Sequence, residues 1–256
     1  MPSSNILFHI DDRVATITLD RVARHNALTM AMLADVDLAL ARIENASDVR
    51  VVVFRSTSSR FFCSGADIDE WGNIDPEGMG SRFIRAGNRV FRRIAELDIP
   101  TVSVLSGNAL GGGLELALSC DFRYAALDVM LGFPEASLGA IPGWMGCQRL
   151  SDLVGTSRSR ELVLLGEPIT AVRAAEWGVV NEALPREALD ERVAEICALL
   201  QRRSGASLSI GKRLLRLIES GQAELAHEFA ASVCKATPDA IEGVKAFREK
   251  RCAEFR

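Results

Sequence analysis

Two glutamates and two glycine-containing turns carry the residue types from which chemistry is expected. The turns lie at residues 65–67 and 111–113, and each follows a short apolar run of strand character. Each turn can aim a backbone N–H group at one point, and two converging donors stabilise an oxyanion. Glu115 follows the second turn, and Glu135 lies twenty residues further on in a proline-containing loop. If that loop folds back, the two carboxylates meet beside the N–H donors and divide acid and base roles, because proximity raises the pKa of one of them.

Each of these features also has a purely structural explanation. A glycine-rich turn between a strand and a helix often serves only tight packing. The charge of Glu115 can simply interact favourably with the dipole of its helix, and Glu135 can be a solvated loop carboxylate. A nucleotide-binding P-loop is disfavoured because Gly-Lys-Ser/Thr is missing, and residues 107–113 do not keep the spacing of a dinucleotide fingerprint. The other motifs of the chain must therefore decide between packing and chemistry.

Length and composition limit the possible classes of protein. A chain of 256 residues can form one domain, or one domain with an appendage. The hydrophobic fraction of 48% and the charged fraction of 25% are typical of a globular protein. A net charge of −4 argues against a nucleic-acid partner, and no apolar run is long enough to predict a membrane span.

Cysteine and histidine usage predicts free thiols and no metal site. The six cysteines form no Cys-x-x-Cys pair, which favours buried thiols in a reducing compartment. The three histidines lie far apart, so we expect no zinc. The polar N-terminal residues carry no signal-peptide pattern, and a cytoplasmic location is expected.

Hydrophobic periodicity predicts alternating strands and helices followed by a helical tail. We expect a hairpin, a helix that begins after the N-cap Thr29, and a loop at residues 71–80. The tail should break near Gly205, Gly221 and Thr237. Alternation stops near Leu184, so we place an α/β core in residues 1–195 and a helical oligomerisation region in residues 196–256. The remaining predicted strands are 51–54, 99–105, 122–125 and 129–131, and the remaining helices are 81–97, 114–119, 147–154, 157–165 and 171–177.

Five stretches together resemble the enoyl-CoA hydratase/isomerase (crotonase) family over essentially the full chain. They are residues 21–28, 62–68, 107–121, 133–143 and 246–251. The resemblance implies an α/β fold of ββα units wound in a spiral, with a C-terminal helical region that builds homotrimers, often stacked as hexamers. It also implies an acyl-CoA thioester substrate, in which coenzyme A is part of the substrate, and no metal or redox cofactor.

The resemblance also implies roles for single residues. The amides of Ala66 and Gly112 match the oxyanion hole of the family. Glu115 matches the glutamate that helps activate water, and Glu135 matches the one that supplies a proton at C2. The expected residues for binding the acyl group and coenzyme A are Arg24, Ala27, Ser64, Asp67, Ile68, Gly111, Pro134, Gly143, Trp144, Phe247 and Lys250, of which Phe247 and Lys250 would serve a neighbouring subunit.

Both glutamates together favour an enoyl-CoA hydratase, which adds water reversibly to a 2-enoyl-CoA. A Δ3–Δ2 isomerase, a carnitinyl-CoA-type dehydratase, a decarboxylase and a thioester hydrolase remain alternatives within the family. A binding protein without catalysis and an RNA-binding relative are alternatives of another class. Trp71 and Trp144 depart from the common hydratase pattern, and both can narrow the acyl pocket.

Overall fold

The described chain begins with a β-hairpin. The structure is a computed structural model, and it describes residues 5–219 and 223–255. Strand β1 (Ile6–Asp11) pairs antiparallel with β2 (Val14–Leu19), as the sequence predicted. Asp12 and Arg13 join the strands, and both adopt positive φ angles of 41° and 64°. This two-residue turn matches the right-handed twist of the paired strands.

Beyond the hairpin, successive units each deliver one strand to each of two sheets. Among the described residues the first sheet has the order β1-β2-β3-β5-β7-β10, and the second has the order β4-β6-β8-β9. The strands after the hairpin are β3 (Val51–Ser56), β4 (Phe61–Cys63), β5 (Thr101–Leu105), β6 (Asn108–Leu110), β7 (Phe122–Ala126), β8 (Met130–Gly132), β9 (Ile169–Thr170) and β10 (Glu182–Leu184). Because β3, β5 and β7 are parallel neighbours, as are β4, β6 and β8, the chain winds as a spiral.

Helices follow the strand pairs and cover the sheets. Thr29 caps the first helix by accepting a hydrogen bond of 3.1 Å from the N–H of Met32, as predicted. The helices are α1 (Met30–Glu44), α2 (Ile68–Gly72), α3 (Pro76–Gly78), α4 (Arg85–Glu96), α5 (Gly112–Leu118), α6 (Gly146–Leu164), α7 (Ala171–Trp177), α8 (Arg186–Gln201), α9 (Gly205–Glu219), α10 (Ala223–Lys235) and α11 (Pro238–Glu249). Short 3₁₀ helices span Val22–Arg24 and Pro134–Leu138, and a π-helix spans Met79–Ile84.

The hydrophobic core lies between the first sheet and the helices. The central strands β3 and β5 are buried along almost their whole length, as expected for parallel strands that are covered on both faces. Helix α8 packs on β3, β5 and β7 through Leu189, Val193, Cys197 and Leu200. The second sheet is small, and its strands serve chiefly to aim the loops that follow them.

Three strands of the second sheet bring three separate loops to one edge. Strands β4, β6 and β8 are parallel neighbours, so their carboxyl ends lie side by side. The chain leaves β4 toward Ala66, leaves β6 toward Gly112, and leaves β8 toward Glu135. Residues far apart in sequence therefore meet at this edge.

The prediction of a loop at residues 71–80 is wrong. Helix α2 extends to Gly72, α3 follows at residues 76–78, and the π-helix continues directly into α4. Asp67 and Asp75 cap the two short helices with their carboxylates, and Pro76 occupies the first turn of α3. The Asp and Pro residues that suggested a loop are thus helix-starting signals.

The later helices agree with the sequence in most respects. The two helices predicted at 147–154 and 157–165 are the two halves of α6, which are separated by a non-helical Gly155. The breaks at Gly205 and Thr237 coincide with the starts of α9 and α11, whereas the break at Gly221 falls outside the described residues. The last strand described ends at Leu184, and the boundary at residue 195, which stays a prediction, falls inside α8. No described helix combines the length and apolar character needed to cross a membrane.

Candidate active site

The turn after β4 leaves the N–H group of Ala66 free. The N–H of Leu28 donates to the carbonyl of Gly65 at 2.8 Å, and the N–H of Asp67 donates to the carbonyl of Leu28 at 2.8 Å. These two bonds hold the backbone on either side of Ala66 but do not use its own N–H. Within the described part of the chain this N–H has no acceptor.

Asp67 anchors the same turn from its other side. Its Oδ1 accepts hydrogen bonds from the N–H groups of Asp69 and Glu70 at 3.0 and 3.1 Å, and its Oδ2 accepts one from Arg21 at 2.6 Å. Burial opposes ionisation, but the hydrogen bond from Arg21 and those from the helix amides hold the pKa of Asp67 below its usual value. The charged carboxylate therefore fixes the geometry of the turn.

The turn after β6 presents the N–H group of Gly112. Gly111 has φ +51° and ψ −128°, a conformation that residues with a Cβ rarely adopt, and it reverses the chain into α5. Gly112 is the first residue of α5, so its N–H has no acceptor inside the helix. The described residues offer it no other acceptor.

The two free N–H groups lie close together. A Cβ placed on Gly112 would lie 3.3 Å from the nitrogen of Ala66, and a Cβ placed on Gly65 would lie 3.4 Å from the nitrogen of Gly112. Ala66 and Gly112 also line the same cavity. A carbonyl oxygen bound in this cavity can therefore accept hydrogen bonds from both.

Glu115 lies one helical turn after Gly112 and is almost completely buried. Its Oε1 accepts hydrogen bonds from the N–H groups of Trp144 and Gly146 at 2.7 and 2.8 Å. Burial raises the pKa of Glu115 to about 7, the two N–H donors oppose this shift, and the charge of Glu135 adds to it. The side chain is thus held in one orientation and can exchange a proton near neutral pH.

Glu135 lies in the 3₁₀ helix that follows β8. Its Oε2 is buried and has no hydrogen-bond partner among the described residues. Burial raises the pKa of Glu135 to about 7. A Cβ placed on Gly111 would lie 2.8 Å from Oε1 of Glu135, so this carboxyl group lies against the turn that carries Gly112.

One cavity of about 90 Å³ brings most of the predicted site residues together. Both glutamates and both turn amides line it, as do the predicted acyl-binding residues Ser64, Ile68, Gly111, Pro134, Gly143 and Trp144. Its walls are mainly apolar, which suits an acyl chain more than a sugar or a peptide. The assignment of roles to these residues stays a prediction.

Other predicted binding residues do not line this cavity. Arg24 pairs with Asp69, and Ala27 is buried with its carbonyl oxygen accepting a hydrogen bond from Arg21. The carboxylate of Asp67 holds the turn at Ala66 through Arg21 and the first amides of α2. Phe247 is 86% exposed on α11, and Lys250 caps the same helix at its C-terminus. Roles of Phe247 and Lys250 in a neighbouring subunit stay predictions.

Sequence reasoning missed several residues of the cavity wall. Phe83 and Ile84 come from the π-helix, whose residues from 81 onward fall within the helix predicted at residues 81–97. The usable signal was that these two apolar residues stand between charged neighbours just before the apolar positions of α4. Leu138, Ala140 and Ile141 also line the cavity, as do Gly65 of the first turn and Trp71. A narrowing of the acyl pocket by Trp71 stays a prediction.

The residues that the structure describes contain no cluster of His, Cys, Asp and Glu side chains that could hold a metal ion. The cavity presents two backbone amides and two carboxyl groups. The two amides can stabilise negative charge on an oxygen, and the two carboxyl groups can hold or release protons beside it.

The spiral of strand pairs is that of the crotonase fold. A family model described as enoyl-CoA hydratase/isomerase matches residues 9–256. The chain therefore belongs to the enoyl-CoA hydratase/isomerase family, as the five sequence motifs predicted.

Individual relatives match this chain over nearly their full length. The chain is 32% identical to a short-chain-enoyl-CoA hydratase of Clostridium acetobutylicum, over 99% of this chain and 98% of that protein. It is 33% identical to a crotonyl-CoA hydratase of Syntrophomonas wolfei, over 100% and 99% of the two chains. A crystal structure of an enoyl-CoA hydratase from Bacillus anthracis superimposes with a TM-score of 0.93 at 30% identity and covers 98% of both chains.

Proposed function

We propose that this protein is an enoyl-CoA hydratase, a hydro-lyase that adds water reversibly to a 2-enoyl-CoA thioester. The observation that carries the proposal is the meeting of two glutamates of raised pKa with two amides that have no acceptor in the described ranges, all in one apolar cavity. The hydratases among the relatives named above support it. Their substrates are acyl-CoA thioesters, and we propose the same class of substrate for this protein.

The amides of Ala66 and Gly112 bind the thioester oxygen in this mechanism. When water adds at C3 of the conjugated enoyl group, negative charge develops on that oxygen and an enolate forms. Neither N–H donor has an acceptor in the part of the chain that the structure describes, so both can bind the oxygen without breaking another hydrogen bond. Their interaction strengthens as the charge grows, which lowers the barrier to addition.

The two glutamates move the protons of the added water. Glu115, whose Oε1 is held by two N–H groups, takes a proton from the attacking water through its other oxygen. Glu135, whose buried Oε2 has no hydrogen-bond partner among the residues that the structure describes, is the acid that protonates C2 of the enolate. The reverse sequence dehydrates a 3-hydroxyacyl-CoA. After release of the product, proton exchange with solvent restores one ionised and one neutral carboxyl group.

Hydration of crotonyl-CoA tests the proposal directly. Added protein should cause the conjugated enoyl absorbance to decay, and Glu115→Gln and Glu135→Gln should each slow this decay by a factor of about 10²–10⁴. A wild-type protein that moves the double bond of a 3-enoyl-CoA but hydrates no 2-enoyl-CoA would instead be an isomerase. Such an isomerase needs mainly the Glu135 carboxyl group, so the well-held Glu115 supports hydration.

We further propose that the protein works in the cytoplasm as a homotrimer or hexamer without metal or redox cofactor. Large apolar side chains on the C-terminal helices are exposed in the single chain, among them Leu215, Phe229, Val233, Ile241 and Phe247. Such a surface is expected to be covered in an assembly. A chain that ends before Ser204 should lose the assembly, and light scattering that finds a trimer of this truncated chain would refute the proposed role of these helices.

A further inference from the structure

We propose that the indole of Trp144 forms the closed end of the acyl pocket and restricts the substrate to short, unbranched acyl groups. This inference rests on the proposed function, because it assumes an acyl thioester held at the two amides. It adds the substrate class and names the residue that selects it.

The six-membered ring of Trp144 lies against the oxyanion hole. A Cβ placed on Gly112 would lie 2.5 Å from Cζ3 and 2.8 Å from Cε3 of this ring. The same Cβ would lie 3.3 Å from the nitrogen of Ala66. An acyl chain whose carbonyl oxygen is bound by Ala66 and Gly112 therefore starts beside the ring, and carbon atoms beyond the reacting ones meet it.

The ring is clamped from several directions. Its centroid lies 5.2 Å from that of Phe83 and 5.4 Å, in an edge-on arrangement, from that of Phe91. A Cβ placed on Gly87 would lie only 2.2 Å from Nε1 of Trp144, so α4 passes directly against the ring. Because Trp144 is 2% exposed, the ring cannot turn away without displacing the helix.

The backbone of Trp144 is held as firmly as its ring. Its N–H donates to Glu115 at 2.7 Å, and its carbonyl oxygen accepts a hydrogen bond from Arg149 at 2.9 Å. The indole N–H, in contrast, has no partner among the described residues. Packing rather than a hydrogen bond therefore sets the position of the ring, which is what a size-selecting wall requires.

The other walls leave little additional room. Phe83, Ile84 and Trp71 line the cavity together with Trp144, and Cδ1 of Ile84 would lie 2.4 Å from a Cβ on Gly143. The cavity volume of about 90 Å³ is well below that of pockets that enclose larger ligands. A short acyl group fits this space, whereas a longer or branched one requires the ring to move.

Binding of saturated acyl-CoAs measures the size of the pocket independently of turnover. In an open apolar pocket each additional methylene strengthens binding about 4-fold, so octanoyl-CoA would bind far more tightly than butyryl-CoA. We expect the wild-type protein to bind octanoyl-CoA no more tightly than butyryl-CoA in isothermal titration calorimetry. In Trp144→Leu and Trp144→Ala we expect the ratio of affinities to shift at least about 10-fold toward octanoyl-CoA.

Trp177→Leu is the matched control. Trp177 lies on α7 beneath Arg158 and Arg173 and does not line the cavity, so the same change there should leave the ratio unaltered. Circular dichroism checks that each variant is folded. If neither Trp144 variant folds, Phe91→Leu, which loosens the clamp without lining the cavity, should shift the ratio in the same direction by a smaller factor.

The outcomes separate this inference from the proposed function. Tighter wild-type binding of octanoyl-CoA, or an unaltered ratio in a folded Trp144 variant, would overturn the role of Trp144 even if crotonyl-CoA is hydrated. A shift in the ratio without any hydration would uphold the role of Trp144 and refute the hydratase. A protein that binds neither acyl-CoA would refute both.

Discussion

The backbone N–H of Trp144 donates a hydrogen bond of 2.7 Å to Oε1 of Glu115. The residue whose ring ends the acyl pocket therefore also orients one of the two carboxyl groups. A change of the Trp144 side chain leaves the backbone N–H in place as a donor, but a shift of the backbone at Trp144 misplaces the carboxyl group of Glu115. Acyl selectivity and turnover are therefore coupled in this site. Only the ratio of the affinities for two acyl-CoAs reports on the size of the pocket alone.

Replacement of either glutamate by glutamine should reduce hydration of crotonyl-CoA by a factor of about 10²–10⁴, because the variant cannot transfer a proton. Glutamine is nearly isosteric, so the fold should persist. The losses should not multiply in the double variant, since both groups act on one addition. The measurement is kcat/KM from the decay of the enoyl absorbance.

The control for these variants is Glu187→Gln, which makes the same change at an exposed position in the first turn of α8. It should retain wild-type kcat/KM. Hydration that survives in both Glu115→Gln and Glu135→Gln would show that the carboxyl pair does not carry the reaction.

Ala66→Pro should lower kcat by about 10²–10³, because it removes one of the two N–H donors. The lost N–H makes no hydrogen bond to the described residues, so the substitution deletes no structural bond. Ala66→Gly keeps the donor and should stay close to the wild type. A folded Ala66→Pro protein with normal kcat would exclude this amide from the oxyanion hole.

The raised pKa of Glu135 predicts how stability changes with pH. Burial raises this pKa from the ordinary 4.5 to about 7, so the carboxyl group is neutral in both folded and unfolded protein at low pH. As pH rises from about 4 to about 8, the unfolded state ionises first, and the folded state loses about 3 kcal/mol of stability.

Glu135→Gln has no such titration. The Tm of this variant should therefore rise relative to that of the wild type as the pH increases across this interval. At lower pH the difference between the two Tm values should not change with pH. Glu187→Gln serves again as the control and should not diverge. A difference in Tm that stays constant with pH would mean that the pKa of Glu135 is not raised in the folded protein.

Gly87→Ala should destabilise the protein by about 1–3 kcal/mol, because the new methyl group would overlap the indole of Trp144. The cost should largely disappear in a Trp144→Leu background, where the smaller side chain vacates the contact. A double-mutant cycle of unfolding free energies measures this coupling. Gly80→Ala, at a position in the π-helix with no neighbour within 4 Å of the added Cβ, is the control and should show no coupling to Trp144.

The local sequence determined most of the helices and strands, because capping residues and hydrophobic periodicity act over a few neighbours. Thr29, the turn at Asp12 and the glycine turn at Gly111 could all be recognised in this way. The loop predicted at residues 71–80 was wrong for a local reason as well, since Asp75 followed by Pro76 starts a helix as readily as it ends one.

The motifs also determined the family, and with it the identity of Glu115 and Glu135 as candidate catalytic residues. Their types and positions follow directly from the order of residues in the chain. Their raised pKa values do not, because burial depends on which other segments cover them.

Only the tertiary structure decided how the site is assembled and how large it is. Ala66, Gly112 and Glu135 meet because β4, β6 and β8 are adjacent parallel strands, an arrangement set by pairing between distant segments. The position of the Trp144 ring depends on Phe83, Gly87 and Phe91, which lie more than fifty residues earlier. Local patterns carry no information about such contacts, since they arise from packing between segments that the chain brings together only when it folds.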